Sequence, residues 1–274
     1  MTASAVDEPE LETEAKQAAW TLNFGPQHPA THTTLRLILD LDGERIVKAT
    51  PDIGYLHSGF EKLGEHLNYN QYVTVADRKN YISPPMNEVA WHHAVEKVLG
   101  VELTPRCQYI RVIIGELARI SDHLLCTGAM ALDLGAFTAF LYAFNLREQV
   151  YDVYEEMSGY RFHPGYTRVG GVLYDFNDRV LGRIKTFLGN FEAVYADMSK
   201  LLFRNRIFLD RLRGVGVLSK ADAIAHSCTG PVARASGVTF DLRKDAPYLA
   251  YPELDFEVPY SSEGDCWEIG RAHV

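Results

Sequence analysis

The chain has 274 residues and a formal net charge of −9, from 27 basic and 36 acidic side chains. A chain of this length buries roughly 70–75% of its unfolded surface, so it needs no disulfide or metal to fold. The acidic balance argues against nucleic acid as a partner. The cysteines Cys107, Cys126, Cys228 and Cys266 form no C-x-x-C, which excludes a zinc ribbon, a thioredoxin-type pair and a disulfide framework.

Residues 1–19 read as a disordered acidic lead-in, with Asp7, Glu8, Glu10, Glu12 and Glu14 against Lys16. A transit peptide has the opposite bias. Residues 20–53 read as a β-hairpin region. Leu35, Leu37, Leu39 and Leu41 alternate, Asp42-Gly43 is a favoured two-residue turn, Ile46 and Val47 continue, and an earlier strand covers residues 20–24.

From residue 54 to 266 the pattern is a helical bundle domain. Asn87 is a cap for a helix over 88–99, with Pro84-Pro85 barring an earlier start. Thr104 caps the next helix, with Pro105 at its first position. Three apolar stripes follow at helical spacing: Ile110 to Leu124, Ala143 to Met157, and Leu181 to Leu202 behind a cap at Asn177. Such stripes pack as a bundle. Residues 124–144 are apolar enough to imitate a membrane span. An acid at a span centre costs about 2.5–3.5 kcal/mol, so Asp133 marks a break between two buried helices instead.

Further along, Ser219 and Asp222 resemble a capping box, and residues 228–260 look irregular. The basic run 200–213 reads as a solvated helix end, with a docking patch for an acidic partner as its rival. Gly214-Val215-Gly216 is a near miss for a dinucleotide motif, without the strand that should precede it. His92-His93 reads as surface or packing.

The segment Asn23-Phe24-Gly25-Pro26-Gln27-His28-Pro29-Ala30-Thr31-His32 sets two histidines four apart in a turn-prone stretch. It suits a tight loop, a weak metal site, or a loop offering imidazole to a substrate carbonyl. Six runs, in order, give the chain a family resemblance: Phe24-Gly25-Pro26-Gln27-His28-Pro29-Ala30-Thr31-His32, Asp77-Arg78-Lys79-Asn80-Tyr81, Arg111-Val112-Ile113-Ile114-Gly115-Glu116, Ala131-Leu132-Asp133-Leu134-Gly135-Ala136, Arg168-Val169-Gly170-Gly171 and Asp241-Leu242-Arg243-Lys244. With them the chain resembles the 49-kDa (or D) subunit family of NADH-quinone oxidoreductase, respiratory complex I.

The resemblance implies a mainly α fold with a small N-terminal β-region, akin to the large subunit of nickel–iron hydrogenases. It implies a site where quinone is reduced by electrons passing from NADH through FMN and iron–sulfur clusters, coupled to proton translocation. It places quinone binding and catalysis on His32 and Tyr81, an acid at Asp133, and the second loop histidine at His28. The terminal iron–sulfur cluster would lie in the neighbouring B subunit beside His163 and Ser58. Relatives commonly carry a base at the position of Ser58, so serine there removes a positive charge. No metal or flavin is expected on this chain. The implied partners are the B and C subunits, the membrane arm and quinone, at the cytoplasmic face of a bacterial membrane, bound peripherally.

Two rival readings are a hydrogenase-like large subunit, which the missing C-x-x-C pairs oppose, and a scaffold without a site. Residues 267–274 match no family run and read as a translated sequencing adapter. A C-terminally truncated chain with a non-native tail, inactive in isolation, is therefore expected.

Overall fold

The computed structural model describes residues 20–271, which divide after Gly59 into an N-terminal unit and a helical unit. The expected acidic lead-in lies outside the described residues, as do the last three residues of the expected tail.

The N-terminal unit is an antiparallel sheet of β1 (Trp20–Phe24), β2 (Arg36–Asp42) and β3 (Arg45–Asp52), in that order. Leu22 lies opposite Leu39, and alternation puts Leu39 and Leu41 in the buried set. Asp42 pairs with Arg45, so the turn is Gly43-Glu44, one residue later than the sequence suggests. Gly43 has φ 60°, and a glycine leading a two-residue loop suits the strand twist.

The helical unit opens with α1 (Phe60–Gly64) and α2 (Val73–Ala76). Its main helices are α3 (Pro84–Leu99), α4 (Pro105–Asp133), α5 (Phe137–Ser158) and α6 (Asp178–Leu202). A two-stranded hairpin, β4 (Thr167–Arg168) and β5 (Gly171–Val172), separates α5 from α6. Short helices follow: α7 (Arg206–Leu212), α8 (Lys220–Ala225), α9 (Gly230–Ala235), α10 (Leu242–Asp245) and α11 (Cys266–Arg271). The class is mainly helical with a small N-terminal sheet, as expected. The stretch 228–260 holds α9, α10 and a 3-10 turn rather than loop alone. The part of the expected tail that is described continues α11, where Trp267 is buried with its ring 5.5 Å from that of Phe203.

Local chemistry explains most boundaries. Pro84 and Pro85 do not bar α3; they begin it, because the first helical turn has no use for their missing N–H groups. Thr104 accepts from Cys107 N, and Asn177 accepts from Val180 N at 2.9 Å. Ser219 accepts from Asp222 N at 3.1 Å and donates its hydroxyl to the Asp222 carboxylate at 2.6 Å, closing the expected capping box in a variant form.

The core lies among α4, α5 and α6, around Ile114, Leu146, Val150, Val153 and Phe187. A Cβ on Gly128 would stand 3.1 Å from Ala143 Cβ, so the glycine lets α4 and α5 approach closely. On α6 the buried row is Val180, Ile184, Phe187, Met198 and Leu202, while Leu181 and Leu188 of the expected stripe are exposed. The rest of the expected stripe lies on the contact face: Ile184, Met198 and Leu202 are buried, and Phe191 and Tyr195 pack against the core. The chain breaks at 134–136 as expected, and no described helix is long and apolar enough to cross a membrane.

Asn177→Ala should cost about 1 kcal/mol, within the 0.5–2 range for a lost cap, while Asn177→Asp should be near neutral. Urea unfolding checks this; an unchanged midpoint for Asn177→Ala contradicts it.

Candidate functional site

Glu88, His92 and Glu96 recur every four residues, so they share one face of α3. All three are buried, at 1% exposure or less. Glu88 Oε2 accepts from Tyr166 N at 2.6 Å and Thr167 N at 2.8 Å. His92 Nδ1 lies 2.6 Å from the Thr167 hydroxyl. Glu96 takes a two-pronged pair from Arg111 at 2.6 and 2.8 Å and also accepts from Gly170 N at 2.7 Å. Arg111 Nη2 donates on to the carbonyls of Arg168 and Gly171 at 2.8 and 2.9 Å. The β4–β5 hairpin is therefore held by charged groups of α3 and α4.

The electrostatics follow from burial. Desolvation pushes the His92 imidazole down to about 4, with the Arg111 charge adding to it. Desolvation pushes the Asp77 carboxyl up to about 9, with Glu88 adding to it. Burial also raises Glu88.

Asp77 begins the run that ends at Tyr81. The turn carrying Tyr81 is pinned. Asn80 Nδ2 donates to Ser83 Oγ at 2.7 Å and to Asp122 on α4 at 3.3 Å, and Asn87 Nδ2 donates to Asn80 O at 2.8 Å. Tyr81 itself is 46% exposed, so the rigid turn presents a phenol at the surface of the unit.

His163 is half-buried, its ring 4.7 Å from Phe162, and its Nδ1 is buried without a hydrogen-bond partner. Burial first, then the Arg78 charge, lowers its basicity. Arg78 thus ties the run that carries Tyr81 to His163 electrostatically. Asp133 is the last residue of α4 and is exposed. The helix simply ends there. A carboxylate gains nothing from a helix C-terminus, so helix stability does not account for it.

In the N-terminal unit, His28 caps a 3-10 turn (Pro29–Thr31) by accepting from Ala30 N at 3.1 Å, and its ring lies 4.7 Å from Phe24. One nitrogen of His28 is thus spent on the loop itself. His32 is exposed, at φ 49°, with Gln27 at 62° and Thr33 at 70°. Such left-handed residues cost of order 1–3 kcal/mol each and gather where a loop shape is functionally constrained. Ser58 is exposed and donates to Leu56 O at 3.2 Å.

Sequence reasoning misses Asp77, Glu88 and Glu96. The available signal is the four-residue recurrence of polar groups on α3, which puts three titratable side chains on a single row of the helix. An apolar cavity of about 380 Å³ beside Met86, His93 and Tyr251 is lined by none of the expected site residues. Among the described residues, no group of three or more His, Cys, Asp or Glu side chains is placed to hold a metal ion.

Because its folded pKa lies below the unfolded one, His92 binds fewer protons in the native state between about pH 6.5 and 4, and its share of stability is lost as pH falls through that window. Its ring NMR signals should stay unshifted from pH 8 down to about 5.5. A midpoint near the ordinary histidine value contradicts the buried, neutral assignment.

The family model described as "Respiratory-chain NADH dehydrogenase, 49 Kd subunit" matches residues 133–274. Among curated relatives, the chain is 49% identical over 248 residues to the first of the numbered D subunits of NADH-quinone oxidoreductase from Opitutus terrae, covering 90% of this chain and 58% of that protein. It is 51% identical over 246 residues to the second of the numbered D subunits from Sinorhizobium medicae, covering 90% and 61%. Against the D subunit from Methylacidiphilum infernorum the identity is 49% over 247 residues, covering 90% and 59%. The chain spans about three-fifths of the length of these relatives. With the family match over more than half its residues, the chain belongs to the 49-kDa subunit family of respiratory-chain NADH dehydrogenases.

Proposed function

We propose that this chain supplies one wall of the quinone-reduction site in a proton-translocating NADH-quinone oxidoreductase. The observation that carries the reading is Tyr81: within a chain of this family, a matching run holds an exposed phenol on a turn pinned by Asn80, Ser83 and Asp122. Reducing a quinone takes two electrons and two protons. The Tyr81 hydroxyl and the His32 imidazole hydrogen-bond the head-group oxygens and deliver protons as negative charge develops. His28, with Nδ1 occupied by its own loop, holds the loop shape and offers its other nitrogen to the quinone. The acid of this reading is Asp133, at the end of α4.

His163 would lie beside an iron–sulfur cluster held by the neighbouring B subunit, which would supply the electrons; its Nδ1 has no partner among the described residues and burial lowers its basicity, which supports that reading. Ser58, the other residue assigned to the cluster, brings a small hydroxyl and no positive charge. Docking on the B and C subunits and on the membrane arm, as a peripheral subunit at the cytoplasmic face, completes the reading. It agrees with described helices that do not cross a membrane.

In the assembled enzyme, Tyr81→Phe should lower quinone reduction on the order of 10²–10³-fold, the loss of one donor to a developing oxyanion. Asp133→Asn should lower quinone reduction as well, because it removes the acid of the site. NADH oxidation by an artificial acceptor should be spared in both. Quinone activity in Tyr81→Phe equal to the parent removes the catalytic role and leaves a scaffold.

A further inference from the structure

Two buried acids take no part in the proposed quinone chemistry. Asp77 is 2% exposed and Glu88 is fully buried. One oxygen of each, Asp77 Oδ1 and Glu88 Oε1, is buried and meets no donor group among the described residues, and the charge of Glu88 works to raise the Asp77 carboxyl. Two ionised carboxylates cannot satisfy these oxygens for one another, because both only accept. Two buried negative charges side by side would also be far too costly. One proton resolves both problems.

We propose that Asp77 and Glu88 hold one proton between them at neutral pH, and that the singly protonated pair is a positioning clamp for the turn 165–167, two residues beyond His163. The proton resides on Asp77 and is donated to Glu88 Oε1. Glu88 stays ionised because Oε2 already accepts from Tyr166 N, Thr167 N and the Thr167 hydroxyl. The charged and titratable surroundings agree. Arg78 and the Gly165 amide favour an ionised Asp77, but burial and Glu88 outweigh them. Tyr154, whose hydroxyl is buried without a partner and feels the Glu88 charge, stays neutral because burial raises it far above the usual range. His92 reaches Glu88 only through Thr167 and is neutral as well. Raising the pH far enough removes the proton from Asp77 to solvent and sets two charges against each other behind the turn.

The pair is argued from internal packing alone; only its bearing on His163 rests on the function proposed above. The test is the pH dependence of unfolding for the 274-residue chain and its Asp77→Asn variant. The Asn amide donates to Glu88 as the acid does, but it does not titrate. The wild-type native state keeps a proton that the unfolded chain has released. Its folding constant should therefore fall about tenfold per pH unit relative to Asp77→Asn, from about pH 5 up to the pair's own pKa, and run parallel above it. A ratio that stays level over that range overturns the proposal. Infrared spectroscopy of the wild type gives an independent reading, even if the variant fails to fold. A protonated-carboxyl band should be present at pH 7 and vanish at strongly alkaline pH; its absence at pH 7 overturns the shared proton.

Discussion

The acidic face of α3 fixes the arrangement of the helical unit's polar interior. Glu88 grips the backbone of Tyr166 and Thr167, and Glu96 grips Gly170 while pairing with Arg111. Each of these acids is out of water, so each must find all its partners inside the protein. A buried ion pair adds little net stability over a packed apolar substitute. Removing one partner, however, costs about 3–5 kcal/mol, because the other charge is stranded. What such a pair supplies is a single permitted geometry. Here it holds the β4–β5 hairpin, and with it the turn after His163, against two long helices.

A second ionic node repeats the principle farther along the chain. Arg243 donates to Asp241 at 2.9 Å and reaches Glu116 at 3.4 Å, while Tyr251 donates its hydroxyl to Glu116. Burial works to raise Glu116, but Arg119, Tyr251 and Arg243 together hold it below the usual carboxylate range. Four of the six runs behind the family resemblance thus meet in space. Asp77, Arg111 and the 168–171 run converge at the first node, and Glu116 and the 241–244 run at the second. Much of what makes the sequence recognisable is an internal charge framework. The exposed Tyr81 is carried by that framework.

Caps and breaks are legible in the sequence because they depend on a few adjacent residues. Thr104 and Asn177 start their helices, and the chain breaks after Asp133. Sequence reading fails where tertiary contact decides. Apolar periodicity alone does not say which of two adjacent apolar residues on α6 is buried, so it misplaces Leu181 and Leu188. Pro84-Pro85 reads as a barrier, although the same chemistry makes proline a good first residue. Nothing in the local pattern marks Glu88 and Glu96 as buried, since their hairpin partners lie 74 to 79 positions away. The roles of His32, Tyr81 and His163 come from the resemblance; their residue types alone suit many other uses.

Amide hydrogen exchange tests the α3 clamp most directly. The N–H groups of Tyr166, Thr167 and Gly170 all donate to buried carboxylates, although they lie in or beside a two-residue-stranded hairpin that would ordinarily open with ease. They should exchange only through large-scale unfolding, as slowly as core amides of α4 and α5, and Glu88→Gln should speed up Tyr166 and Thr167 while leaving those helices protected. Exchange of all three amides at the rate of an open loop in the wild-type chain would contradict the account.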